Sequence, residues 1–188
     1  MRKSLLFVVL FCAVVVVVGL PCFLIKIGDL RSYQVPTSSM KQTLVPGDRF
    51  WMERLSYRFR KPRRGEIIVF RTAGIADIPQ PTPPEPSPIF VMRIIGLPKD
   101  TIQLHGENLL VNGKPDPALA AFHFHFNPQA VYLGAAGSTV RVPEDSYFVI
   151  GDNTNKSFDS RYWGFVPAKN IIARAAFRYS PFRHAGFL

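Results

Sequence analysis

Three short stretches hold the side chains that could do chemistry. "VPTSSMKQTLVPGDRF", residues 35–50, sets Thr37, Ser38 and Ser39 in one short polar turn, with Lys41 two residues on. "RRGEIIVF" (63–70) is followed, beyond a proline-rich stretch, by "VMRIIGLPKD" (91–100). "GDNTNKSFDSRYWGFVP" (151–167) gathers Asp152, Lys156, Ser157, Asp159 and Arg161. A serine hydroxyl becomes a nucleophile only when a neighbouring group takes its proton. Serine clusters by themselves mark turns, so the three stretches have to be read together. Metal chemistry has one opening: "AFHFHF" (121–126) alternates like a strand and turns His123 and His125 to the same side. Two histidines in that relation can hold a metal, but no third ligand lies nearby, and no metal is expected. No phosphate-cradling loop occurs, and no nucleotide or other cofactor is expected.

The elements that must position these residues read as β. "GEIIVFR" (65–71), "FVMRII" (90–95), "TIQLHGENLLVNGKP" (101–115) and "STVRVPEDSYFVIGD" (138–152) are rich in Val, Ile, Phe and Tyr, and Gly, Asn and Pro punctuate them. "HGEN" and "NGK" are turn signals, so 101–115 reads as short strands joined by tight turns. No stretch after residue 32 shows a long helical period; only "PALAAF" suggests a helical turn. "DIPQPTPPEPSPI" (77–89) places six prolines in ten residues, which predicts an extended exposed loop.

The first residues differ from the rest. Residues 1–4 form a short charged tail, and residues 5–25 carry no charge, long enough for a transmembrane helix. No small-x-small cleavage site follows, so the run reads as a retained anchor. Cys12 and Cys22 both lie in it, roughly 15 Å apart along a helix and too distant for a disulfide. Residues 32–188 then form the large domain. The net charge is +10, and residues 49–64 supply Arg49, Arg54, Arg58, Arg60, Lys61, Arg63 and Arg64. Beside a membrane anchor this suits anionic lipid headgroups as partner. Nucleic acid is not expected, since aromatic interleaving stops at "RFW" and "YRF".

Taken together, the stretches resemble the bacterial type I signal peptidases, membrane-anchored serine proteases of the Ser/Lys class. The resemblance spans nearly the whole chain: the anchor, Ser-Met-x-x-Thr-Leu at 39–44, the Arg-Gly-Glu strand at 64–70, Arg-x-x-Gly-Leu-Pro at 93–98, Gly-Asp-Asn at 151–153 and "SFDSRYWGFVP" at 157–167. It implies a mainly β fold, an antiparallel, barrel-like catalytic domain on one N-terminal transmembrane helix. It implies a single-pass protein of the bacterial cell membrane, with that domain on the extracytoplasmic side. The implied substrates are exported preproteins, cleaved after small-x-small sites. Ser39 matches the nucleophile. Its backbone N–H and the Thr37 hydroxyl match the groups that stabilise the oxyanion. Val35, Pro36, Met40, Leu44, Phe90 and Val91 match positions lining the pockets for small substrate side chains. Asp159 and Arg161 match a supporting ion pair, Asp152 a further structural support, and Ser157 the hydroxyl that orients the catalytic amine.

That amine is missing. The family places lysine directly before the arginine of "RIIGLP", and here that residue is Met92. The lysine acts as a general base once burial has depressed its pKa. A methionine fits the same slot but accepts no proton, and loss of a base costs about 10²–10⁴ in rate or more. Lys41 and Lys156 are the alternative amines. Met92 reads either as a changed base in a working peptidase or as the mark of a non-cleaving homologue that binds signal peptides or assists assembly at the membrane. Smaller departures are Thr154, Asn155 and Lys156 in the third box, Gln42 where proline is usual and Lys99 where glycine is usual.

Overall fold

The computed structural model describes residues 9, 11–19, 22–23, 29–80, 86–106, 108–119, 124–125 and 127–188. Its strands are β1 (Leu30–Gln34), β2 (Arg49–Glu53), β3 (Ile67–Arg71), β4 (Ile89–Gly96), β5 (Thr101–His105), β6 (Asn108–Val111), β7 (Lys114–Pro115), β8 (Thr139–Arg141), β9 (Ser146–Ile150), β10 (Val166–Pro167), β11 (Ile171–Ser180) and β12 (Gly186–Phe187). Two single-turn helices, α1 (Ser56–Phe59) and α2 (Ser160–Trp163), interrupt them. The larger sheet runs β1-β2-β11-β3-β4-β9-β10, with β12 beside β11, and the smaller runs β7-β6-β5-β8. Every pairing is antiparallel. The barrel-like expectation thus takes the form of two sheets, the larger with β1 and β10 at its edges.

β3 explains why the larger sheet has a core on both faces. Its run Ile67, Ile68, Val69 and Phe70 is wholly buried, as a short continuous apolar run between turns predicts. Alternation then divides it. Ile67 and Val69 pack with Val35, Met40, Leu44 and Phe50. Ile68 and Phe70 pack with Met92, Ile94, Val149 and Trp163. In the smaller sheet Ile102, Leu104, Leu109 and Val111 point inward, against Phe148 and Ile150 of β9. Gly96, ending β4, makes this contact possible: a Cβ there would lie 2.8 Å from Val142 Cγ2 and 3.0 Å from Phe148 Cβ.

The strands expected at 65–71, 90–95 and 101–115 form, and Asn112-Gly113, both at positive φ, make the tight turn between β6 and β7. Residues 138–152 divide between the sheets, β8 in the smaller and β9 in the larger. "PALAAF" gives a 3-10 turn at Pro117–Leu119. Three findings differ from expectation. First, β1, β2 and β11 are strands that composition did not announce, because charges and alanines mask their alternation. β1 also begins at Leu30, before the expected domain start at 32. Second, Phe124 and His125 take no strand conformation; His123 lies outside the described residues. His125 instead pairs through Nδ1 with the Thr154 hydroxyl at 3.2 Å. Third, the proline-rich loop is not wholly exposed. Ile78 is buried, and the Gln80 amide donates to the carbonyls of Thr72 and Ile78; residues 81–85 lie outside the description.

The basic stretch is also not a uniform positive face. Arg58 pairs with Asp29 at 2.8 Å and Arg60 with Glu66 at 2.6 Å. Arg64 reaches both Asp100 and Asp116, at 2.9 and 2.7 Å. Of the expected anchor, residues 11–14 are helical, Val15–Gly19 forms a π-helix, and the apolar side chains described there are exposed. Residues 1–8, 10, 20–21 and 24–28 lie outside the description. Among the described residues no helix is long and apolar enough to cross a membrane.

Candidate active site

Ser39 sits in a tight turn at the end of β1. The backbone closes that turn locally: Val35 N–H donates to Asp48 O (2.9 Å), and Thr43 and Leu44 N–H both donate to Met40 O (2.8 and 2.6 Å). Ser39 remains half-buried, with its hydroxyl 3.1 Å from that of Thr37. A second segment holds the turn from outside. Where β9 ends, Asn153 N–H donates to Ser39 O and its side-chain amide to Ser38 O, both at 2.9 Å. Gly151 makes the approach possible. A Cβ there would lie 2.6 Å from Ser39 O and would strike the Ser157 hydroxyl.

Met92 and Ser157 complete the group. Met92 stands opposite Ile68 in the β3–β4 register and is 3% exposed. Its neighbours are apolar, among them Phe70, Ile94 and Val149. Ser157 is buried, and its hydroxyl has no hydrogen-bond partner among the described residues. Other buried hydroxyls here are satisfied; Ser160 Oγ accepts from Val149 N–H at 2.9 Å. An unpartnered buried hydroxyl costs about 1–3 kcal/mol.

Two guanidinium clamps fix the surroundings. Arg161, 3% exposed, holds Asp159 through Nε and Nη2 at 2.8 and 2.9 Å. It also donates to the carbonyls of Thr154 (2.7 Å) and His125 (2.9 Å), while Asp159 accepts from Gly151 N–H. A buried charge is tolerable only when paired and hydrogen-bonded in this way. Arg93, next to Met92 on β4, grips Asp152 at 2.8 and 2.7 Å, and the Thr43 hydroxyl donates to the same carboxylate. The two clamps lock β4 and the 151–157 loop to the Ser39 turn.

A cleft of about 410 Å³ opens over these residues. Ser39, Thr37 and Met92 line it, as do Val35, Pro36, Met40, Phe90 and Val91. Leu44, expected among the pocket residues, does not: it is fully buried and supports Val35 and Met40 from behind. Asp152, Asp159, Arg161 and Ser157 lie behind the wall rather than on it. Lys156 lines the cleft, whereas Lys41 is exposed away from it. Sequence reasoning passed over Tyr33, Pro88, Ile89 and Phe158, which also line it. It gave no role to Arg93 and Asn153. An arginine beside a buried position and an asparagine after Gly-Asp were the only available signals. Tyr33 lends its hydroxyl to Ile89 O at 3.4 Å, and burial pushes its phenol up, so it stays neutral.

The sequence matches the family model "Signal peptidase, peptidase S26" over residues 3–180. It is similar to a signal peptidase I of Leptolyngbya laminosa, 40% identical over 154 residues, covering 82% of this chain and 70% of that protein. A probable signal peptidase I-2 of Synechocystis sp. is 38% identical over 176 residues, 94% of this chain and 72% of that one. A signal peptidase I of Bacillus caldolyticus is 34% identical over 183 residues, 94% and 91% of the two chains.

Proposed function

Since the chain belongs to the signal peptidase (peptidase S26) family, we propose that its cleft receives exported preproteins with Ser39 as nucleophile, and that Met92 holds cleavage far below that of a lysine-bearing site. The activity of the family is endoproteolytic removal of signal peptides, and this chain is a serine endopeptidase by that membership. The substrate lies extended across the cleft, with small residues at the first and third positions before the cut. Val35, Pro36, Met40, Phe90 and Val91 leave a shallow apolar wall there. The Thr37 hydroxyl and the Ser39 N–H stabilise the oxyanion. Residues 5–25 anchor the chain in a bacterial membrane, with residues 32–188 on the extracytoplasmic side and lipid headgroups as a second partner.

One observation carries the reading: a buried hydroxyl without a partner, Ser157, beside the backbone of Ser39 at Gly151, in a chain whose Met92 is buried and borders the same cleft. A lysine ammonium or amine in the Met92 slot would give Ser157 its partner and Ser39 its base. The same observation supports a second reading, a homologue that binds signal peptides without cutting them.

Met92→Lys tests both. Met and Lys stems have similar volume, so little repacking is needed. Turnover of a preprotein with an Ala-x-Ala site in detergent should rise at least about 10²-fold over the parent. It should increase with pH as the lysine loses its proton, and vanish with Ser39→Ala. A parent that cleaves as fast as Met92→Lys overturns the missing-base argument. Failure of both, with peptide still bound, favours the binding protein.

A further inference from the structure

Among the described residues the cleft has one charged residue on its wall. Of its lining residues all but Lys156 are apolar, aromatic or hydroxylated. Lys156 is exposed and makes no ion pair among the described residues. Its position is nevertheless fixed. It closes the 3-10 turn Thr154–Lys156, its N–H donating to Asn153 O at 2.9 Å. Asn153 is itself bonded to Ser39 O and Ser38 O, and Arg161 holds the carbonyls of Thr154 and Ser157 on either side. The ammonium therefore swings from a backbone that is tied directly to the nucleophile turn. Phe158, 47% exposed, also lines the cleft.

We propose that Lys156 is a specificity-determining residue: it selects peptides that carry an aspartate or glutamate at one or two positions flanking the small-x-small segment. The inference rests on the reading of the cleft as the peptide site. The chemistry is direct. Among the described lining residues a peptide meets no carboxylate to repel its own, and a single ammonium without an ion-pair partner. A solvent-accessible pair of this kind contributes about two- to fivefold in affinity, less as salt rises. A peptide with lysine at the same position meets like charge and loses a similar factor.

Binding, rather than turnover, is the proper readout, because it does not depend on Met92. Fluorescein-labelled peptides with one Ala-x-Ala segment are titrated with the full chain in detergent, reading anisotropy. Glutamate is placed in turn at each flanking position, with glutamine as control. The expected result is a two- to fivefold tighter Kd for glutamate at one or two adjacent positions, weakened at high salt. Lys156→Gln should abolish the preference for glutamate over glutamine, and Lys156→Glu should reverse it in favour of a lysine peptide. If the glutamine peptide binds, and Val91→Trp displaces it, but no position prefers glutamate, the assignment to Lys156 is wrong and the peptide site stands. If no peptide binds at all, the reading of the cleft fails and the proposal with it. A preference that survives in Lys156→Gln also overturns it.

Discussion

Replacing Ser157 by alanine removes a hydroxyl that has no partner among the described residues. The folded state should therefore gain about 1 kcal/mol, against the usual loss on deleting a buried polar group. A urea midpoint shifted upward with unchanged slope checks it; a midpoint shifted down by a similar amount would mean that the hydroxyl is satisfied. In the Met92→Lys background the same substitution should lower cleavage instead, because the new amine loses the group that orients it. Both results turn on one atom whose state could not be read from the chain. The sequence exposes Met92, since its neighbours Val91 and Arg93 identify the slot. It does not expose Ser157's missing bond, which depends on how the 151–157 loop packs against the Ser39 turn. Leu44 shows the same limit: the family resemblance placed it on the pocket wall, while the packed turn buries it in the core.

Glu66 couples α1 to β3. Its carboxylate accepts from the Tyr57 hydroxyl (3.0 Å), Arg60 Nη2 (2.6 Å) and Arg63 N–H (3.1 Å), so the connection leading into β3 is closed around it. Burial pushes this carboxyl up, but the Arg60 bond and charge, the Arg63 N–H and the Tyr57 hydroxyl together hold it below the usual range. The Tyr57 phenol is pushed well above its ordinary value, by burial first and then by the charge on Glu66. A depressed carboxyl contributes stability above its unfolded value of about 4.3, and loses it as pH falls through the folded value. Glu66→Gln should therefore lower Tm at neutral pH and flatten its fall between about pH 5 and pH 3. Parallel Tm profiles for the two proteins would refute this role. At this scale β3 was legible because both its faces are apolar. β2 and β11 were not. "RFWME" and "IIARAAFRYS" mix charge and alanine with apolar residues, and become strands because each is flanked by partners. Tertiary pairing outweighs local propensity there.

For the molecule as a whole, the apolar run at 5–25 and the +10 charge are what the proposed membrane placement rests on. β1 starts at Leu30 and pairs there with Glu53, beside Arg54 and Arg58. Chain emerging from a membrane would thus enter the domain beside Arg54, with Arg58 paired to Asp29. Protein extracted from membranes should keep residues 5–25, and its intact mass measures this directly; a mature N-terminus between 26 and 32 would refute retention. Overall class was legible from strand composition and the ordered boxes, but the arrangement of strands was not, since pairing order leaves no local trace. That order has a consequence in time. β11 lies between β2 and β3, and Arg174 on it meets Glu53, 121 positions earlier. Contacts of such long separation close slowly. As the chain is made from its N-terminus, β2 and β3 each keep an unpaired edge until residues 171–180 have arrived. Until then the domain is a sheet with a gap, open to pairing with other extended chains, and the last long strand sets the moment at which that exposure ends.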